Sequence, residues 1–201
     1  MTTIGVDFDN TLVCYDELFP SLAREQGLVP DDVRGTKQAV RAHLRGCGRE
    51  VDWTRLQGEV YGPYIQRAPP FAGALAFVKE ARAVGIDVVV ISHKTAVPIL
   101  GAPHDLIAAA RAWLERHGFF DDGALPRHAA FFEPTKEGKI ARIRERQCAH
   151  FVDDLPELFR DPAFPPAVGK TLFDPHGQHP DVGLHCADSW ETIAVELLRD
   201  R

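Results

Sequence analysis

The chain has 201 residues, of which 45% are apolar and 26% charged, with a formal net charge of −6 at pH 7. That is room for one globular domain with a small insert. The negative balance argues against nucleic acid as the main partner, because phosphate-backbone binding needs a basic surface.

No apolar run approaches the roughly 18 residues of a membrane span, and MTTIGVDF shows no secretory leader. Cys14, Cys47, Cys148 and Cys186 are widely spaced and form no CxxC pair. They read as reduced thiols of a cytoplasmic protein with no membrane partner.

In chain order, TIGVDF (3–8) is the first predicted buried strand. Residues 15–70 then read as helices over 16–27, 31–46 and 53–66, closing at Ala68-Pro69-Pro70. FAGALAFVKEARAVG (71–85) carries apolar residues at 71, 75, 78 and 81, a helical spacing, and IDVVVI (86–91) is the second strand. HDLIAAARAWLERHG (104–118) reads as a helix stopped by its glycine. AAFF (129–132) is a third strand, and KEGKIARIRERQ (136–147) a helix with Ile140 and Ile143 on one face and Thr135 as candidate N-cap. AHFV (149–152) and KTLF (170–173) are further strands, and SWETIAVELLRD (189–200) a helix opened by Ser189.

Continuously apolar strands alternating with helices predict an α/β fold, a Rossmann-like doubly wound parallel sheet covered on both faces. A single crossover helix needs far fewer residues than 15–70 provides. The expectation is a core of residues 1–14 and 71–201 with a helical insert over 15–70.

Ligand sites in open α/β sheets lie beyond the carboxyl ends of the strands. Asp7 and Asp9 follow the first strand, Ser92 the second, Lys136 the third, and Asp153 and Asp154 the fourth. Clustered carboxylates repel and raise one another's pKa, a cost that a bound cation removes. Hard oxygen ligands of this kind suit Mg2+, and a lysine and a serine hydroxyl beside them make a clamp for a phosphoryl group.

These residues resemble the haloacid dehalogenase superfamily of phosphohydrolases. The DxDxT motif is here Asp7-Phe8-Asp9-Asn10-Thr11, the serine after an apolar strand is Ser92, the lysine near a helix start is Lys136 or Lys139, and the acidic pair is Asp153-Asp154. The resemblance implies that Asp7 attacks phosphorus to form an aspartyl-phosphate, and that Asp9 protonates the leaving oxygen and later deprotonates water. The family's dehalogenases lack that second aspartate, so its presence favours phosphate esters. The resemblance further implies that Asp7, the Asp9 carbonyl, Asp153 and Asp154 surround Mg2+, and that Ser92 and the lysine hold phosphoryl oxygens. Lys136 is the preferred lysine because it lies nearer the strand end. Thr11, Asn10, His93 and Lys94 are expected near substrate, with Thr11 ordering its loop.

The superfamily carries caps after its first motif that close over the site. The helical stretch 15–70 occupies that position, as in a subgroup of small bacterial members. Within it Arg34, Lys37, Arg41 and Arg45 are spaced to share one helix face. They form either a solvated face or a landing surface for an anionic substrate, with Arg41 and Arg45 as the expected contacts. Trp53, Tyr61 and Tyr64 form either a stacking surface or the insert's own core. His176, His179, His185 and Cys186 match no closed zinc site.

The function expected is hydrolysis of a small phosphorylated metabolite, a nucleotide or a sugar phosphate. Phosphoryl transfer by a phosphomutase and a non-catalytic phosphate-binding module are the alternatives. A receiver domain is excluded, because its acidic pair comes early in the chain and its phosphorylated aspartate later.

Overall fold

The computed structural model describes residues 2–31, 33, 36–180 and 183–199. Six strands form one parallel sheet: β1 (Thr3–Val6), β2 (Asp87–His93), β3 (Ala130–Glu133), β4 (Cys148–Asp153), β5 (Gly169–Phe173) and β6 (Cys186–Ala187), in the order β3-β2-β1-β4-β5-β6. The five predicted strands are all present. β6 has only two residues, too few to leave an apolar run in the sequence.

The described residues form eight α-helices: α1 (Leu18–Glu25), α2 (Lys37–Gly46), α3 (Glu50–Tyr61), α4 (Ala74–Ala83), α5 (Leu106–Arg116), α6 (Lys136–Glu145), α7 (Pro156–Phe159) and α8 (Trp190–Ala194). Thr135 caps α6 by accepting from the Gly138 amide, and Ser189 caps α8 by accepting from Thr192. The helix predicted over 31–46 starts only at Lys37, residues 32, 34 and 35 lying outside the described set. The predicted 189–200 helix ends at Ala194 and continues as a π-type turn over Val195–Arg199.

Residues group into two compact units. The first, Met1–Val13, Pro70–Lys94 and Gly118–Arg201, holds the sheet. The period of two along each strand sends alternate residues to opposite faces. On one face Val89, Ile91, Phe151 and Leu172 pack with Ile140 and Ile143 of α6 and with Leu158 and Phe159 of α7. On the other, Trp190 of α8 meets Phe173 at 5.7 Å and Phe77 of α4 at 4.9 Å between ring centroids.

The second unit is Cys14–Pro69 with Thr95–His117. It therefore takes in α5 as well as the helical stretch expected over 15–70. Its own bonds explain this: the Trp113 indole donates to the Ala68 carbonyl at 2.7 Å, and Gln66 donates to Ala109 O at 3.2 Å. Pro98 packs so close to α3 that only a glycine fits at position 58. The unit's aromatic centre is Phe19 stacked on Trp53 at 5.2 Å, with Tyr61 edge-on to Tyr15 at 5.2 Å and to Phe19 at 5.7 Å. Trp53 and Tyr61 thus belong to the unit's own core, and Tyr64 lies under Arg67. Among the described residues no helix is long and apolar enough to cross a membrane.

Position 5 sets the spacing at the centre of the sheet. Gly5 of β1 pairs with Phe151 of β4, whose ring covers the space a Cβ would occupy. Phe151 is fully buried, so the ring has no room to retreat. Gly5→Val is expected to overpack this site and destabilise the fold by about 1–3 kcal/mol, measured as a lowered urea midpoint at unchanged slope.

Candidate active site

The strand order reverses direction between β1 and β4, and crevices at such a switch point are where α/β sheets bind ligands. Asp7 follows β1 directly and Asp153 is the last residue of β4. The Asp7 amide donates to Val152 O at 2.9 Å, so the first acid is tied to the strand that presents the second. Beyond Asp9 the chain turns at Asn10, whose φ of 57° lies in the left-handed region that asparagine tolerates. The Leu12 and Val13 amides both return to Phe8 O at 3.0 Å, closing the loop.

Asp7 is 4% exposed and Asp153 fully buried. Between them sits the Lys139 ammonium, 2.5 Å from Asp7 Oδ1 and 2.5 Å from Asp153 Oδ2. The other Asp153 oxygen accepts from the Leu155 amide at 2.9 Å. Burial pulls the Lys139 pKa down, but the Asp153 and Asp7 charges outweigh it and the value ends above that of an ordinary lysine. Burial pushes the Asp153 carboxyl up, against the pull of Lys139 and helped by the Asp7 charge. Asp154 completes the group: one carboxylate oxygen from each of Asp7, Asp153 and Asp154 lies within 4.8 Å of the others. Among the described residues this is the one cluster of three metal-ligating side chains, and its all-oxygen donor set fits Mg2+.

The two candidate lysines take different places. Lys136 is turned away to Asp161, 2.5 Å from its Oδ2, while Lys139 enters the acidic cluster. Both residues fall near the Ile140–Ile143 face of α6, so helical spacing alone did not separate them. Lys139 lies one turn into the helix on its buried side, whereas Lys136 sits at the exposed first turn.

Ser92 is buried near the end of β2, in register with Phe132 of β3. His93 is exposed and its Nε2 meets Pro134 O at 3.1 Å. Lys94, expected near substrate, turns to Asp9. It is buried, with its ammonium on Asp9 at 2.8 and 3.1 Å, a pairing that sequence reasoning missed. The signal available was its place two residues past Ser92 on the same rim. The Thr11 carbonyl accepts from the Trp190 indole at 3.0 Å, which anchors the loop, and its buried Oγ1 has no hydrogen-bond partner among the described residues.

In the helical unit the four cations expected along one face have different fates. Arg34 lies outside the described residues, and Lys37 sits 5.5 Å from both the Phe19 and Tyr61 ring centroids. Arg41 is exposed, and Arg45 donates twice to Glu50, at 2.5 and 2.6 Å. In the C-terminal loop of the sheet unit His185 pairs with Glu196 at 2.7 Å.

The sequence matches no protein-family model and no curated protein. Solved structures do match. A HAD hydrolase of Bacillus subtilis, YfnB, bound to magnesium, superposes with a TM-score of 0.61 at 14% identity, over 98% of this chain and 98% of that one. A HAD family hydrolase of Deinococcus radiodurans with bound phosphate and sodium gives 0.59 at 14%, over 98% and 95%. A dehalogenase gives 0.59 at 12%, over 100% and 98%. The chain therefore has the fold of the haloacid dehalogenase superfamily, a parallel six-stranded Rossmann-like sheet.

The burial of this cluster yields a stability prediction. Lys139→Met leaves two buried carboxylates without their cation and is expected to cost about 3–5 kcal/mol. Lys136→Ala removes a pair whose lysine is open to solvent and is expected to change the urea midpoint far less.

Proposed function

We propose that the protein is a Mg2+-dependent phosphatase that hydrolyses a small phosphate monoester through an aspartyl-phosphate on Asp7. The observation that carries this reading is the buried Asp7–Lys139–Asp153 group with Asp154 beside it and Asp9 two residues further on. Similar folds bound to magnesium or to phosphate support it.

Asp7 is the nucleophile: its carboxylate oxygen bonds to phosphorus as the ester P–O bond breaks. Asp9 gives its proton to the departing alcohol oxygen, then takes one from the water that attacks the aspartyl-phosphate. The P–O bond to Asp7 breaks in that second step, and phosphate and free Asp7 are regenerated. Lys139 holds the Asp7 oxygen and neutralises charge that grows on the phosphoryl group, and the Ser92 hydroxyl donates to a phosphoryl oxygen. Asp7, Asp153, Asp154 and the Asp9 carbonyl would hold Mg2+. When bound, the ion supplies charge neutralisation and orientation for the phosphoryl oxygens.

Asp9 favours this reading over dehalogenation, the activity named for one of the similar structures, because a halide departs without a proton. The partner proposed is a small phosphorylated metabolite, and neither nucleic acid nor a membrane is required by this chemistry.

A panel of nucleotide and sugar phosphates with Mg2+ is expected to release phosphate, and Asp7→Asn to fall to background. Absence of phosphate release from every ester by the wild type would refute the hydrolase reading. Mg2+ alone, at about one hundred times its Kd, is expected to stabilise the wild type by about 2.7 kcal/mol. Asp153→Asn is expected to lose that stabilisation in a thermal-shift titration.

A further inference from the structure

The sheet unit buries a second ion pair beside the first. Lys94 Nζ lies 2.8 Å from Oδ2 and 3.1 Å from Oδ1 of Asp9, so one ammonium spans both carboxylate oxygens. The lysine side chain is 3% exposed and the aspartate 19%. Lys94 is fixed at both ends. Its main-chain amide donates to Glu133 O, the last residue of β3, at 2.8 Å, and its ammonium rests 5.4 Å from the Phe8 ring centroid. Phe8 is itself fully buried and meets Phe132 edge-on at 5.6 Å. Asp7 and Asp9 are two residues apart, yet each has its own ammonium: Lys139 serves Asp7 and Asp153, and Lys94 serves Asp9.

We propose that Lys94 is a positioning residue for Asp9: its ammonium lies against both oxygens of the carboxylate, stays on the nearer one when the other carries the proton, and so fixes the direction from which Asp9 meets the leaving oxygen of the substrate. This rests on the assignment of Asp9 as the proton donor. A buried lysine that touches both oxygens restrains the carboxylate plane as well as its position, whereas a single hydrogen bond leaves the plane to rotate. A displacement of about 1 Å in such a group is enough to lower a rate about a hundredfold.

Lys94→Met keeps the length of the stem and removes the charge. Two esters then separate the roles. The phenolate of p-nitrophenyl phosphate leaves with little help from a proton, and the alkoxide of glycerol phosphate does not. For each ester kcat/KM reports the steps up to cleavage of its P–O bond. Lys94→Met is expected to lower kcat/KM for glycerol phosphate at least about tenfold more than for p-nitrophenyl phosphate, the pattern expected also of Asp9→Asn. An equal loss on both esters overturns the proposal and places Lys94 on the phosphoryl group. No loss on either overturns it as well.

A measurement without turnover tests the pair itself. A buried, paired lysine ammonium exchanges slowly enough to give its own 1H–15N signal, assigned by its disappearance in Lys94→Met. In Asp9→Asn that signal is expected to shift or vanish while the Lys139 signal persists. An unchanged Lys94 signal overturns the proposal. If the wild type hydrolyses no ester, the phosphatase reading fails, and the ammonium signal still decides whether Lys94 holds Asp9.

Discussion

A lysine ammonium between two carboxylates, all three almost without solvent, is the constraint to which the sheet unit is fitted. Burying such charges costs several kcal/mol per ion unless their geometry and remaining hydrogen bonds are nearly complete. Here both lysine contacts are 2.5 Å and the outer Asp153 oxygen is held by the Leu155 amide. That arrangement requires β1 and β4 to be adjacent, with α6 packed so that its second turn points at the rim. Gly5, which lets Phe151 lie against β1, and the Ile140–Ile143 face of α6 both serve that closeness. The cost of like charges in one place is one that a bound cation would offset.

Much of the fold was legible because it rests on local patterns. Runs such as IDVVVI are too short for helices and too apolar for surface, and Thr135 and Ser189 announce helix starts by their own chemistry. The acids of the site were legible for the same reason, since each follows a strand. Lys136 is preferred in the sequence for its nearness to the strand end, because two lysines one turn apart lie near the same helix face; the burial of Lys139 and the presence of Asp161 beside Lys136 separate them. Lys94 was harder to place. Its partner Asp9 lies on another strand's loop, 85 positions away in sequence, and no local periodicity encodes that meeting. The grouping of α5 with the helical unit was hidden likewise, because it depends on Trp113 reaching Ala68.

The two ammoniums divide labour between acids that the motif places side by side. Asp7 shares its cation with the acid of another strand, and Asp9 has a lysine that also spans its second oxygen. A motif of the form DxD is therefore not a symmetrical pair in this protein. Its two carboxylates differ in burial and in the element that supplies their counter-charge, differences in keeping with the separate roles proposed for them.

Asp7 and its ammonium are separated by 132 positions, with both intervening excursions into the helical unit lying between them. During synthesis Asp7 is made 132 residues before the lysine that neutralises it. Until then β1 lacks β4 and carries an acid with no resident cation. Assembly of the acidic cluster therefore waits for α6 and β4, and a chain halted before α6 has the motif without the cluster.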